Sequence, residues 1–191
     1  LYDATIDRNY PIIGLTKEGA GVTGSGIDSL ELRKAFGCFP TGITVVTALD
    51  GEGCAVGITA NSFSSLSLDP PLVLWSVDKR STTFPVFNTS PHFVVSVLSA
   101  TGGAVADRFA RKGSHKIEDI DTLPTELGPP TFSDSLAVFE CEVFDRHEGG
   151  DHIIMVGKVL RFAHQPDSKE NGEGALVYYR GRFANVAPVT E

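Results

Sequence analysis

Short β-branched and apolar runs recur along this chain at hairpin spacing, each closed off by glycine, proline or a small polar cluster. That rhythm limits the possible folds more than any other feature. Ile43 to Leu49 meets the turn Asp50-Gly51-Glu52-Gly53 and returns as Cys54 to Thr59; Leu72 to Val77, Phe93 to Leu98 and His152 to Phe162 are further runs. Phe139, Cys141 and Val143 alternate with Glu140 and Glu142, as on a half-buried antiparallel strand. Leu176 to Tyr179 and Phe183 to Val186 complete the series, and twenty Gly and eleven Pro supply its turns. Seven or eight such strands with two or three short helices predict a mainly β fold. The expected form is a closed or nearly closed antiparallel barrel with helices over its ends.

Helix signals are few. Asp28-Ser29 is an N-cap pair followed by Glu31, and Leu32, Ala35, Phe36 and Phe39 form one apolar stripe that Pro40-Thr41-Gly42 ends. A second helix is expected from Thr82 to Asn88, with Pro85 in its first turn, and a third from Ala104 to Ala110. Residues 114–135 read as one long surface loop, His147 to Asp151 as a turn, and Asn171-Gly172-Glu173-Gly174 as another loop. Residues 1–27 have no sustained period and read as an arm ahead of a single domain, 28–191. Within the arm, Tyr10-Pro11-Ile12-Ile13 suits docking on a partner subunit or on the barrel, the alternative being a disordered tail.

A formal charge of −8 with no long basic run argues against nucleic acid as a ligand. Cys38, Cys54 and Cys141 are odd in number and widely spaced, which suggests reduced core thiols in a cytoplasmic protein and neither a disulfide framework nor a zinc site. No basic start followed by an apolar block opens the sequence, and no apolar run approaches the ~20 residues of a membrane span. There is no G-x-G-x-x-G after a strand, no P-loop and no G-x-S-x-G elbow.

The most suggestive chemistry lies in Gly57 to Val77, GITANSFSSLSLDPPLVLWSV. Short donors at Asn61, Ser62, Ser64 and Ser65 stand between two buried runs, where main-chain N–H groups can approach a planar polar ligand. The same hydroxyls could instead satisfy their own turns. Ser81-Thr82-Thr83 at a helix start is either a cap or an anion site. Gly149-Gly150-Asp151-His152 puts an imidazole at the mouth of a strand, as a ligand contact or as a surface turn residue. Tyr178-Tyr179-Arg180-Gly181-Arg182 places aromatic rings beside guanidinium groups, suited to a heterocycle and its phosphates or, blandly, to core and solvent. Arg108-Phe109 has the same two readings.

Together, FPTGITVVTA (Phe39 to Ala48), the Gly57–Val77 stretch, Ser81-Thr82-Thr83, Asp107-Arg108-Phe109-Ala110, GGDHIIMVGKV (Gly149 to Val159) and LVYYRGRF (Leu176 to Phe183) resemble, in order and spacing, the short-chain flavin reductase family. These are reductase components of two-component flavin-dependent monooxygenases, and the resemblance covers about residues 30–187. It implies an FMN-binding split barrel of Greek-key type, a homodimer, a separate oxygenase partner, and reduction of FMN or FAD by NADH, with NADPH also open. By motif, Ala55, Val56, Gly57, Ile58 and Thr59 with Asn61 and Ser62 would line the flavin ring and ribityl chain. Ser76, Val77 and Asp78 would border it. Ser81, Thr82 and Thr83 would hold its phosphate, with Arg108 and Phe109 closing that side. His152 would act at the nicotinamide, orienting it first and donating a proton second, with Tyr178, Tyr179, Arg180 and Gly181 facing the same ring.

That reading agrees with what is missing. Hydride transfer between two cofactors needs no protein nucleophile and no metal; the protein supplies stacking, dryness and hydrogen bonds. A non-catalytic flavin-binding module and an interaction scaffold are the competing readings, and neither needs a nicotinamide face.

Overall fold

The computed structural model describes residues 27–113, 115–118, 120–165 and 174–186. The expected arm through residue 26, most of the Asn171–Gly174 loop and residues 187–191 lie outside them. The elements run α1 (Ser29–Phe36), β1 (Thr41–Gly42), β2 (Thr44–Leu49), β3 (Ala55–Ala60), β4 (Ser64–Leu68), β5 (Pro71–Asp78), α2 (Phe84–Thr89) and β6 (His92–Leu98). There follow α3 (Gly103–Ala110), β7 (Thr122–Leu123), β8 (Thr131–Phe132), β9 (Ser135–Gly149), β10 (His152–His164), β11 (Ala175–Tyr179) and β12 (Arg182–Val186).

Seven strands form one antiparallel sheet in the order β3-β2-β6-β9-β10-β5-β4. Hairpin neighbours (β2–β3, β4–β5, β9–β10) alternate with long crossings, the connectivity of a Greek-key barrel. The two edges, β3 and β4, are consecutive in the chain and joined only by Asn61-Ser62-Phe63. The sheet therefore curls until its edges nearly meet, and no ladder pairs them. It is a split barrel, open along one seam.

Apolar alternation places the core. Val73, Trp75 and Val77 of β5 point inward to meet Phe87, Phe93, Cys141, Ile153 and Met155. Trp75 packs edge-on to Phe87 (4.9 Å between centroids) and to Phe93 (5.9 Å). β2 is buried on both faces, because its other side meets a second cluster of Ile43, Leu98, Ala106, Phe109, Phe132 and Leu176. That explains why its sequence shows no apolar–polar alternation, Thr44 and Thr47 donating their hydroxyls to the carbonyls of Ala60 and Pro130. β10 bulges at Val156/Gly157, and Phe93 fills the space a Cβ would take at that glycine.

Several expectations are corrected. Ser64 to Leu68, read as a loop of small donors, is the edge strand β4. Its ladder bonds come from one side only and its side chains face solvent, so no apolar alternation marks it. Residues 114–135 are not wholly loop: β7 pairs β8, and Lys116 bridges Val56 on the free edge of β3. The β9 strand continues through His147 and Glu148, leaving Gly150-Asp151 as a two-residue turn with Gly150 at φ +75°. The second helix starts later than expected, at Phe84. Among the cysteines only Cys141 is a core thiol, and burial pushes its pKa up to about 12; Cys38 and Cys54 are exposed. The first helix ends at Phe36, short of the expected Pro40, and the apolar stripe is unburied within the chain, with Phe36 66% and, three residues past the helix, Phe39 74% exposed.

Candidate active site

Because β5 turns Val73, Trp75 and Val77 inward, it presents Leu74, Ser76 and Asp78 on the outer face. Ser76 lies opposite Ile154 and Asp78 opposite His152, so those side chains share that face. On the other side, Ser62 Oγ accepts the Ser76 N–H at 2.9 Å across the seam. Ser62 thus meets the edge of β5 beside the outer face that carries Ser76, Asp78 and His152.

The His152 end is held by charge. Arg80 donates from its side chain to Asp78 (Nε to Oδ1 3.1 Å, Nη2 to Oδ2 2.9 Å) and from its N–H at 2.8 Å. Those bonds, the side-chain ones foremost, hold the Asp78 carboxyl at about 2, below its ordinary 3.8. His152 Nδ1 lies 2.7 Å from Asp151 Oδ1. That bond keeps Asp151 below the usual carboxylate range, so Nδ1 is the donor and Nε2 is left for a ligand. Lys79 fastens the turn, its N–H bonding Asp151 O at 3.0 Å and its Nζ bonding Gly150 O at 2.7 Å.

Next to Ser62, Asn61 belongs to a cleft of about 610 Å³ between α1 and the β11–β12 turn. Arg180 (φ +49°) and Gly181 (φ +79°) form that turn, with both residues in the left-handed region that a type I′ hairpin requires. The Arg180 N–H donates to Gly37 O at 2.7 Å and ties the end of α1 to the hairpin. Tyr178 lies beside Thr41 in the ladder, and Phe36, Phe39, Arg33 and Lys34 line the helix side. Thr41 Oγ1 is buried with no hydrogen-bond partner among the described residues, an orphan that a ligand group would satisfy.

The sequence-predicted residues thus fall into several separate places. Asn61, Tyr178, Arg180 and Gly181 meet in the cleft, while Ser76, Asp78 and His152 share the outer face, with Ser62 bonded at its edge. Ala55 to Thr59 form β3, with Ile58 against the barrel core and Thr59 Oγ1 bonded to Ala106 O at 2.7 Å. Tyr179 lies under Arg180, whose guanidinium is 5.3 Å from its ring centroid. Val56 and Val77 are buried in the barrel core, and Phe109 is fully buried against Phe132 and beneath Gly57. These three present no side chain to a ligand within this chain. Thr83 is also buried, its hydroxyl 2.7 Å from that of Ser81, while Thr82 is exposed. Arg108 clasps the 116–118 segment through the carbonyls of Lys116 and Glu118. Arg33, Lys34, Phe36, Phe39 and Thr41 were missed, because only the fold shows that the apolar stripe of α1 lines a cleft and leaves the core.

Among the described residues no group of His, Cys, Asp or Glu could hold a metal ion, and no helix is long and apolar enough to cross a membrane. The chemistry available is that of an outward polar strip beside an aromatic and cationic cleft.

Residues 36–187 match the model of the flavin reductase-like domain. The chain belongs to that family. Among relatives of this flavin reductase-like protein, FMN reductase (NADH) SmoA of Agrobacterium fabrum is 47% identical over 140 residues, 73% of this chain and 79% of that protein. The stachydrine N-demethylase reductase subunit Stc3 of Rhizobium meliloti is 41% identical over 82% of this chain and 65% of its own length. The structure of the NADH:FAD oxidoreductase SgcE6 of Streptomyces globisporus, in complex with NAD and FAD fragments, superposes with a TM-score of 0.78. It is 36% identical, covering 86% of this chain and 96% of that one.

Proposed function

We propose that this flavin reductase-like protein is an NADH-dependent reductase that reduces FMN or FAD and passes the reduced flavin to a separate flavin-dependent oxygenase component. The observation that carries this reading is the outer face shared by Ser76, Asp78 and His152, with Ser62 bonded to the edge of β5 beside it and Asn61 in the cleft with Tyr178 and Arg180. Short donors and aromatic walls meet there, with no nucleophile–base pair among the described residues. When bound, the two cofactors supply hydride donor and acceptor. The chain's own residues bind, orient and screen.

In this reading β3 and the seam residues Asn61 and Ser62 receive the edge of the flavin, where the split leaves short donors within reach. Ser76 and Asp78 border it, and Ser81 and Thr82 with buried Thr83 lie toward its phosphate. Arg108 and Phe109 act by fixing the wall behind β3. His152 offers Nε2 to the nicotinamide amide, its ring oriented by Asp151. Tyr178 and Tyr179 screen the pair from water, and Arg180 and Gly181 shape the entrance. Fixed N–H and hydroxyl donors stabilise the charge that develops on a reduced ring. The exposed stripe of α1, with Phe36 and Phe39, fits burial against a second copy in a homodimer. Cytoplasmic residence accords with the two exposed thiols and with use of NADH.

The test is loss of NADH absorbance with and without FMN or FAD. Turnover that depends on added flavin is the expected result. Flavin binding without NADH oxidation would leave a storage or sensing module instead.

A further inference from the structure

Asp151 orients His152, but that pair alone does not keep Asp151 in place. It stands in the turn between β9 and β10, and its side chain is 68% exposed. An exposed carboxylate–imidazole pair shifts an equilibrium by no more than about fivefold, which leaves the carboxylate turning to solvent part of the time. A third group supplies the missing constraint. Arg80, from the turn that follows β5, donates through Nε to Asp78 Oδ1 at 3.1 Å and through Nη2 to Asp78 Oδ2 at 2.9 Å. Its own N–H also donates to Asp78, so the guanidinium plane is fixed against the end of β5. The same Nη2 lies 3.8 Å from Asp151 Oδ2, an ion-pair contact outside hydrogen-bond range.

The two oxygens of Asp151 are thus assigned to different partners, Oδ1 to His152 Nδ1 at 2.7 Å and Oδ2 to Arg80. The surrounding charges leave this task to Arg80. Asp78 lies opposite His152 across the β5–β10 ladder, and Lys79 is taken up by Glu148 and by Gly150 O. His147 on β9 is turned to Asp145, and α2 carries no charged residue. Arg80 therefore separates two carboxylates that would otherwise repel. His152 is the main cause of the lowered Asp151 pKa, Arg80 adds to it, and Asp78 opposes it. Resting on the reductase reading above, we propose that Arg80 is a positioning residue for His152. It holds the Asp151 carboxylate so that the imidazole keeps its proton on Nδ1 and turns Nε2 to the amide of the reductant. Arg80 reaches the imidazole only through Asp151.

The experiment reads the full chain twice, first without cofactors. In nitrogen NMR at about pH 8, above the ordinary imidazole range, the parent is expected to show His152 as the Nδ1–H tautomer, assigned by its absence from His152→Ala. Arg80→Gln changes a side chain 72% exposed, so the variant should fold. It should move those ring signals toward the averaged pattern of an unrestrained imidazole. Arg80→Lys keeps the charge but loses the fork, and should fall between. In steady-state assays Arg80→Gln should raise the KM for NADH about threefold, with kcat and FMN affinity within about twofold of the parent. Arg161→Gln removes the same charge at the far end of β10, where it pairs with Glu126 and Glu140, and should change none of these. Parent-like ring signals in Arg80→Gln overturn the proposal. So does an equal KM rise in Arg161→Gln, which would make the effect a long-range field, or an equal loss of FMN affinity, which would give Arg80 to the flavin. If the parent chain binds flavin yet never oxidises NADH, the reductase reading falls, and the tautomer spectra still decide whether Arg80 positions His152.

Discussion

Among the described glycines Gly157 has the least room for a Cβ, and Gly157→Ala tests the packing account directly. It sits at the β10 bulge, opposite Val73 on one side and Val143 on the other. A Cβ there would overlap Phe93 Cζ and stand 2.9 Å from Phe93 Cε1 and 3.0 Å from Cys141 Cβ. Neither neighbour can retreat: Phe93 is 1% exposed and wedged against Trp75, and Cys141 is 0% exposed. Overpacking of this kind costs about 3 kcal/mol at the upper end of the usual range. Replacing glycine returns about 0.5–1 kcal/mol through the unfolded chain. The net destabilisation is therefore about 2 kcal/mol, or a fall in Tm of about 4–8 °C for a domain of this size. Urea and thermal unfolding would read it, with Phe93→Leu as the partner variant. If steric overlap is the cause, the pair should lose less than the sum of the two single changes, with a coupling above about 0.5 kcal/mol. An unchanged or raised Tm in Gly157→Ala would refute the reasoning, as would strict additivity.

His152→Ala should raise the KM for NADH more than it weakens flavin binding in steady-state kinetics and flavin titration; equal loss of both would remove the nicotinamide role. Asp151→Asn keeps the shape of the turn but not the charge that selects the Nδ1–H tautomer. It should move KM in the same direction by a smaller factor, with the His152 ring nitrogens changing their NMR signature. Asp78 is held at about 2 by Arg80. Its modest, solvent-screened contribution to stability is present above the ordinary carboxylate pKa and is lost as pH falls through about 2. In Arg80→Gln the Asp78 midpoint, followed by carboxylate NMR, should climb toward 3.8, and a midpoint that stays put would mean another group holds it. If the proposed homodimer buries the face of Phe36 and Phe39, Phe39→Glu should shift sedimentation from dimer to monomer with the far-UV spectrum unchanged, and a parent chain that sediments as a monomer would remove that reading.

The strands that face the core were legible because burial on one or both faces leaves a mark in the sequence. β5, β6 and β10 show it by alternation or by continuous apolar runs, and Asp28 and the Gly150–Asp151 turn announced themselves by cap and turn chemistry. The motifs around Ser62, His152 and Arg180 were legible as chemistry for the same local reason. β4 was not, because an edge strand at a seam buries little and so needs no pattern. Nor could local sequence tell that Val56, Val77 and Phe109 turn into packing while Arg33 and Thr41 turn toward the cleft, since that depends on which faces curl inward when the sheet closes. Periodicity and turn residues, being local, determined that the chain makes a β barrel with a polar stretch in its middle. The closeness of β3 to β4 across three residues, the common face of Ser76, Asp78 and His152, and the cationic cleft were decided by strand order alone. Such contacts join residues as far apart in sequence as Gly37 and Arg180, and nothing within one stretch of sequence encodes them.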